Sequence, residues 1–292
     1  MNNAARRYTA DTDRFAAKGG TLTGQQQSED GRVALVTGAG RGIGRQFAIT
    51  LAKAGYRLGL VDRLETNLEE TASLIGDPVV AVTGDVASPA DVERACAAVE
   101  QRFGPVDVLV NNAGDFGDFG PLSDGDPATW WQVQETNVRG PMLLCHRLVP
   151  AMAAKGRGYV VNIGSRVAVR DDKGVAVSAY AVSKAALTRF TGTLAHELAG
   201  SGVVVVDFSP GMVRTAMTEQ RPDYDQLPDR IFQPPTVAAE KLLELVSGRH
   251  DGLHGHLVHV RDDFDVLAEH LAEHPRTRVL DVTTVGAGDP FA

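Results

Sequence analysis

The sequence predicts an α/β protein: a single domain built on a doubly wound, mostly parallel sheet of seven strands. Short Val/Ile/Leu runs recur along the chain, longer helical patterns separate them, and a glycine-rich turn directly follows the first run. Runs of β-branched residues without polar alternation fit strands covered on both faces, as in a parallel sheet between helix layers. Right-handed crossovers then wind such a sheet in both directions.

The elements follow in order. Strand candidates are VALVT (33–37), RLGLVD (57–62), VVAVTGD (79–85), VDVLVNN (106–112), YVVNIGS (159–165), VVVVDFS (203–209) and a weaker HLVHV (256–260). Helical patterns lie near 43–54, 64–75, 88–103, 126–154, 178–200 and 236–247, with a short acidic helix at 264–273. Residues 1–30 are polar and nearly charge-balanced, which predicts a mobile arm or a subunit clasp. Residues 31–262 form the domain, and 263–292 a C-terminal extension.

Composition narrows the function classes. With 292 residues, 43% hydrophobic and 23% charged, the chain has material for a substantial core and is not a disordered or collagen-like polymer. Its 37 acidic against 29 basic residues give −8, leaving no basic surplus for nucleic acid or an anionic membrane. There is no apolar run of about 18 residues to span a bilayer. The first 30 residues lack the apolar core of a secretory signal, so a cytoplasmic location is expected. Cys96 and Cys145 fall in helical patterns without a spacing motif, which predicts reduced thiols.

After the first strand comes TGAGRGIG (37–44), followed by an Ala/Ile/Leu-rich helix. Glycines permit a tight turn and close approach of a pyrophosphate, while the next helix offers free N–H groups and its positive dipole end. The spacing is G-x-x-x-G-x-G, so the general dinucleotide fingerprint is not matched literally. Asp62 ends the second strand, 18 residues beyond Gly44. A carboxylate there accepts from both hydroxyls of an adenosine ribose and repels a 2′-phosphate, which favours NAD. Arg41 and Arg63 are cations able to hold that phosphate, which keeps NADP as the alternative.

Tyr180 and Lys184 stand four apart on a helical pattern and therefore share one face. A phenol of pKa about 10 is a poor base at neutral pH, and a neighbouring ammonium lowers it. Ser165 has neither G-x-S-x-G nor a placed His/Asp pair around it, so it is expected to orient a carbonyl rather than attack one. Pro141 lies four residues after Asn137 and has no N–H, which leaves the Asn137 carbonyl free, either to accept a water or as the mark of a simple packing kink.

Together TGAGRGIG (37–44), DV (85–86), NNAG (111–114), Asn137, Ser165, YAVSK (180–184) and Pro210-Gly211 resemble the short-chain dehydrogenase/reductase family over residues 31–262. The resemblance implies a Rossmann-type fold, with Tyr180 as general acid/base, Ser165 holding the substrate oxygen, Lys184 on the nicotinamide ribose and Asn137 placing a relay water. It further implies that Gly38, Arg41, Gly42, Ile43, Gly44, Asp62, Asp85, Val86 and Asn112 line the nucleotide site with Tyr180 and Lys184, while Val213 and Thr215 grip the carboxamide. The implied activity interconverts a secondary alcohol and a ketone on a small or medium-sized metabolite. Epimerisation or elimination through a transient ketone, and a non-catalytic nucleotide-binding protein, are the alternatives. As in the family, the long helices predict a homodimer or homotetramer.

The chain departs from the family's pattern in places. Residues 166–173 (RVAVRDDK) are unusually charged, and the loop 115–121 (DFGDFGP) carries two aromatics, which suggests an amphipathic substrate. The segment after Thr215, with Tyr224 and Leu227, is too short for a bulky lid. His254, His256 and His259 do not read as a metal site, because strand alternation sends 256 and 259 to opposite faces. Thr283–Asp289 (TTVGAGD) resembles the anion-hole signature of ribokinase-like sugar kinases, but no helix follows it.

Overall fold

The computed structural model describes residues 31–170, 177–216, 218–219 and 228–280. The arm 1–30, Asp171, Asp172 and Lys173, Tyr224 and Leu227, and the Thr283–Asp289 motif lie outside the described residues.

In chain order the elements are β1 (Val33–Thr37), α1 (Gly42–Lys53), β2 (Arg57–Asp62), α2 (Glu65–Ile75), β3 (Val79–Thr83), α3 (Pro89–Phe103) and β4 (Val108–Asn111). Then follow α4 (Pro127–Gln134), α5 (Gly140–Lys155), β5 (Gly158–Ile163), α6 (Ser178–Glu197), β6 (Val203–Ser209), α7 (Pro235–Leu245), β7 (Leu257–His259) and α8 (Phe264–Glu273). The seven strands form one sheet in the order β3-β2-β1-β4-β5-β6-β7. Every pairing is parallel, with Leu35 of β1 opposite Gly59 of β2 and Leu109 of β4.

All residues of β1, β4, β5 and β6 are buried, because helices cover both faces. Successive side chains of β1 divide between two cores: Ala34 and Val36 join Phe47 and Leu51 of α1 and Leu242 of α7, whereas Val33 and Leu35 join Val99 of α3 and Leu148 of α5. Local chemistry starts the helices where expected. Ser88 and Asp263 cap α3 and α8 through backbone N–H groups of their first turns, and Asp126 caps α4 through Ala128 and Thr129. The extension predicted beyond Asp262 begins with α8, whose Phe264, Leu267 and Leu271 are buried in the first core.

One expectation is corrected. The pattern 126–154 is not one α-helix: Glu135–Arg139 form a π turn between α4 and α5, in which Gly140 N–H reaches back five residues to the Glu135 carbonyl. That N–H is spent on Glu135 and Pro141 has none, so the carbonyls of Thr136 and Asn137 lack the donors that an unbroken α-helix would give them. The sequence showed the proline but not the register shift.

Candidate active site

The chain leaves the sheet in opposite directions after β1 and β4, and the crevice at their carboxyl ends is where open α/β sheets bind ligands. Side chains fasten the two strand ends together. Asn112 Nδ2 donates to the carbonyls of Thr37 (2.9 Å) and Gly38 (3.1 Å), and Thr37 Oγ1 accepts from the N–H groups of Asn112 and Ala113, both at 3.0 Å. The Asn112 amide therefore holds the glycine loop.

Gly38 (φ 63°) and Gly42 (φ 59°) occupy left-handed backbone that other residues resist. At Gly44 the constraint is space: a Cβ would lie 2.1 Å from the Gly38 carbonyl oxygen and 2.3 Å from Asn112 Nδ2. Arg41 makes no side-chain cap to α1, so the first N–H groups of the helix beginning at Gly42 and Ile43 are left for an anion. Thr215 crosses the same turn, its Cγ2 3.3 Å from where a Gly42 Cβ would be, with Val213 buried just before it. This cradle suits a pyrophosphate.

Asp62 ends β2 facing the loop. Its Oδ2 accepts from Gly40 N–H at 2.9 Å and its Oδ1 from Leu64 N–H at 3.0 Å, so the carboxylate braces the loop that it borders. Arg41 and Arg63 are exposed. Arg45, which the sequence analysis missed, donates to the Gly40 carbonyl and Thr71 Oγ1, both at 3.0 Å, and pairs with Glu70 at 2.8 Å. A cation one residue past the last loop glycine was its signal. At the end of β3, Asp85 Oδ1 accepts from Ala87 N–H, and buried Val86 packs where Gly140 leaves no room for a Cβ.

On the other side of the crevice, α6 brings Tyr180 and Lys184 to one face. Lys184 Nζ lies 5.5 Å from the Tyr180 ring centroid and donates to the Ile163 carbonyl at 2.7 Å. The Phe116 ring sits 4.1 Å from the Tyr180 ring, tilted by 51°. Of the two aromatics in the loop 115–121, Phe116 is buried, while Phe119 behind it is partly exposed. Ser165 follows β5, its Oγ accepting from Val167 N–H at 3.3 Å, and the Arg166–Ala168 turn packs against α6.

Asn137 joins these parts. Its Oδ1 accepts from Asp115 N–H, and its Nδ2 donates to the Asp115 carbonyl and to Ser183 Oγ, whose hydroxyl in turn donates to the Tyr180 carbonyl. The side chain is thus used in clamping the loop after NNAG to the Tyr180–Lys184 turn.

Beneath the site lies a carboxyl that the sequence analysis did not single out. Asp207 of β6 is fully buried and bonds Thr188 Oγ1 of α6. Burial raises its pKa to about 7 against the lowering effects of Thr188 and Lys184. Burial likewise lowers Lys184 to about 8, opposed by Asp207. The signal was an acid inside VVVVDFS, where every neighbour is apolar or small.

The histidines are engaged elsewhere. His254 Nδ1 accepts from Val205 N–H at 3.0 Å, and His254 Nε2 lies 2.9 Å from the Ala195 carbonyl. His256 Nε2 lies 3.1 Å from the Pro275 carbonyl, and His259 Nδ1 accepts from Arg261 N–H. Among the described residues no group of three or more His, Cys, Asp or Glu is placed to hold a metal ion. Cys96 and Cys145 are free and buried, which pushes both thiols up to about 12.

The profile of the family described as short chain dehydrogenase matches residues 32–226. The 2-(R)-hydroxypropyl-CoM dehydrogenase of Xanthobacter autotrophicus is 39% identical over 207 residues, 69% of this chain and 82% of that protein. Among solved structures, a 3-ketoacyl-(acyl-carrier-protein) reductase from Brucella melitensis complexed with NADH superposes with a TM-score of 0.74 at 32% identity. It covers 79% of this chain and 97% of its own. A variant of actinorhodin polyketide ketoreductase with NADPH gives 0.72 at 33% identity, over 78% and 95%. With its seven-stranded parallel sheet, glycine cradle and Tyr180–Lys184 face, the chain belongs to the short-chain dehydrogenase family.

Proposed function

We propose that this protein is an NAD(P)-dependent oxidoreductase that interconverts a secondary alcohol and a ketone on a small or medium-sized metabolite, with Tyr180 as general acid/base. The observation that carries the proposal is the placement of Tyr180 and Lys184 on one helix face at the carboxyl ends of the strands, beside a glycine loop shaped for a pyrophosphate.

A nicotinamide cofactor supplies or accepts the hydride. Gly38, Gly42, Ile43 and Gly44 would hold its pyrophosphate, with Arg41, Asp85, Val86 and Asn112 bordering the adenosine side and Val213 and Thr215 the carboxamide side. Asp62 would accept the adenosine ribose hydroxyls, which favours NAD over NADP. Lys184 stabilises the Tyr180 phenolate that removes the alcohol proton, and the Tyr180 hydroxyl returns a proton to the carbonyl oxygen in the reverse direction. Ser165 Oγ orients that oxygen where negative charge develops. Phe116 keeps water from one face of the phenol, and the Asn137 carbonyl accepts a relay water.

The domain is proposed to span residues 31–262 with flanking segments, in a cytoplasmic protein that acts without nucleic-acid or membrane partners. Exposed Trp131 and Met142 on α4 and α5 support assembly into a homodimer or homotetramer, which light scattering tests.

The deciding experiment pairs fluorescence titrations with NADH and NADPH with a turnover screen of secondary alcohols and ketones. Tyr180→Phe is expected to bind NADH within twofold of the parent and to lose turnover by about 100-fold or more. Full turnover in that variant overturns the mechanism. Failure of the parent to bind either nucleotide overturns the oxidoreductase assignment.

A further inference from the structure

Asp207 lies in a buried layer directly below the proposed reaction centre. Its backbone is paired in the sheet, opposite Asn162 of β5 and Leu257 of β7. Its side chain points to Gly164, the residue between Ile163, whose carbonyl holds Lys184 Nζ, and Ser165. A Cβ on Gly164 would lie 1.6 Å from Asp207 Oδ1, so glycine is required for the acid to sit there. Oδ2 meets Thr188 Oγ1, and Oδ1 is buried without a hydrogen-bond partner among the described residues.

Proton accounting makes this arrangement bistable. Thr188 Oγ1 lies within hydrogen-bond reach of both Asp207 Oδ2 and the Lys184 carbonyl, the latter at 3.0 Å, yet a hydroxyl has one proton. When Asp207 is ionised, Thr188 donates to it; when Asp207 is protonated, it donates to Thr188, which donates to the Lys184 carbonyl. The partnerless Oδ1 penalises the ionised form, and the Lys184 ammonium favours it. Neither state is fixed by the surrounding bonds.

Polar and charged groups on the neighbouring elements are committed elsewhere among the described residues. β5 presents Asn162, bonded to Asn111 and Thr191. From α5, Arg147 pairs with Glu93 and Glu100, and Lys155 with Asp107. Beside β7, the rings of His254 and His256 face Ala195 and Pro275, while His259, opposite Ser209, is neighboured by Asp262, Arg166, Arg261 and Arg278. Lys184 is the charge that acts on Asp207.

We propose that Asp207 is a positioning residue for the reaction: its carboxylate, held by Thr188 beneath Gly164, keeps Lys184 charged and thereby keeps Tyr180 competent as a base. This rests on the roles given above to Tyr180 and Lys184. The consequence is a coupled pair, in which loss of the Asp207 charge releases the Lys184 proton at lower pH.

The test follows Lys184 directly in the full-length protein, by carbon-13 NMR of lysines labelled at Cε, with the Lys184 signal identified by its absence in Lys184→Met. Asp207→Asn keeps the shape and removes the charge, and is expected to lower the Lys184 midpoint by about one pH unit. Thr188→Ser keeps the hydroxyl and leaves the midpoint in place, whereas Thr188→Val lowers it in the same direction as Asp207→Asn. With a substrate from the screen, the alkaline limb of kcat/KM moves to lower pH in step, while NADH affinity stays within twofold. An unchanged Lys184 midpoint in a folded Asp207→Asn variant overturns the proposal. If that variant does not fold, Thr188→Val against Thr188→Ser decides on the same readout. A shifted midpoint in a protein that turns over nothing upholds the coupling and removes the oxidoreductase assignment instead.

Discussion

Gly44→Ala places a methyl group where the structure has no room. The added Cβ lies 2.1 Å from the Gly38 carbonyl oxygen and 2.3 Å from Asn112 Nδ2, so either the loop backbone or the asparagine must move. Overpacking a closed site costs about 1–3 kcal/mol. Displacing Asn112 also gives up its bonds to the Thr37 and Gly38 carbonyls, each about 1 kcal/mol net. Alanine's better helix propensity returns at most about 1 kcal/mol, leaving a net loss of about 2–4 kcal/mol. Urea unfolding reads that loss as a lower midpoint at unchanged slope. NADH titration is expected to show at least a tenfold loss of affinity, about 1.4 kcal/mol, because the displaced loop is the proposed pyrophosphate cradle. Gly192→Ala in α6 is the contrast: its Cβ meets nothing closer than the Gly255 carbonyl at 3.8 Å, and it should gain up to about 1 kcal/mol. Parental stability and NADH affinity in Gly44→Ala would refute the steric argument and the location of the nucleotide together.

Asp62→Ala removes the carboxylate that accepts from Gly40 and Leu64; NADPH affinity should rise relative to NADH, and an unchanged ratio in paired titrations would count against its role in cofactor choice. Phe116→Ala strips the ring packed on Tyr180, and steady-state kinetics should show kcat falling by about tenfold or more with NADH affinity held, since misplacement of a catalytic group acts on the reaction step. Burial lowers His259 to about 4 and it enters the fold neutral, so its contribution is present above about pH 6.5 and lost as pH falls through about 4, at most about 3 kcal/mol. His259→Gln should flatten the acid side of the stability profile measured by urea unfolding, and an unaltered slope between those values would show that other groups set it.

The sheet was legible because its strands are buried on both faces. VALVT, RLGLVD and VVVVDFS are strands over the very residues that the apolar runs mark, and β3, β4 and β7 are shorter than the runs that contain them. The glycine loop and the Tyr180–Lys184 pair were legible because each depends on local spacing. The π turn was not, since Asn137, which lies in it, is held by Asp115 and Ser183, partners distant in sequence that no local pattern marks. The contact of Phe116 with Tyr180 was not legible, because composition says that a loop aromatic is available, not which ring it meets. Arg45, Thr71 and Asp207 act across 19 to 32 residues of sequence, beyond any periodicity.

The polar residues inside the apolar strands carry a lesson that spacing motifs do not. Thr37 on β1, Asn111 on β4, Asn162 on β5 and Asp207 on β6 are all buried. Each stands in the carboxyl-terminal half of its strand, toward the crevice. Burying such groups is costly unless they are bonded, and nearly all are: Thr37 to the Asn112–Ala113 backbone, Asn111 to Asn162, Asn162 to Thr191, Asp207 to Thr188. This polar layer ties four strands and α6 together under the proposed reaction centre. Among the described residues, Asn111 Oδ1 and Asp207 Oδ1 lack a partner within that layer. The other residues of β4 are Val108, Leu109 and Val110, and β6 opens with four valines, so an apolar side chain would suit the packing at both positions. Asp207, whose charge acts on Lys184, gives the layer a part in positioning charge as well as in packing.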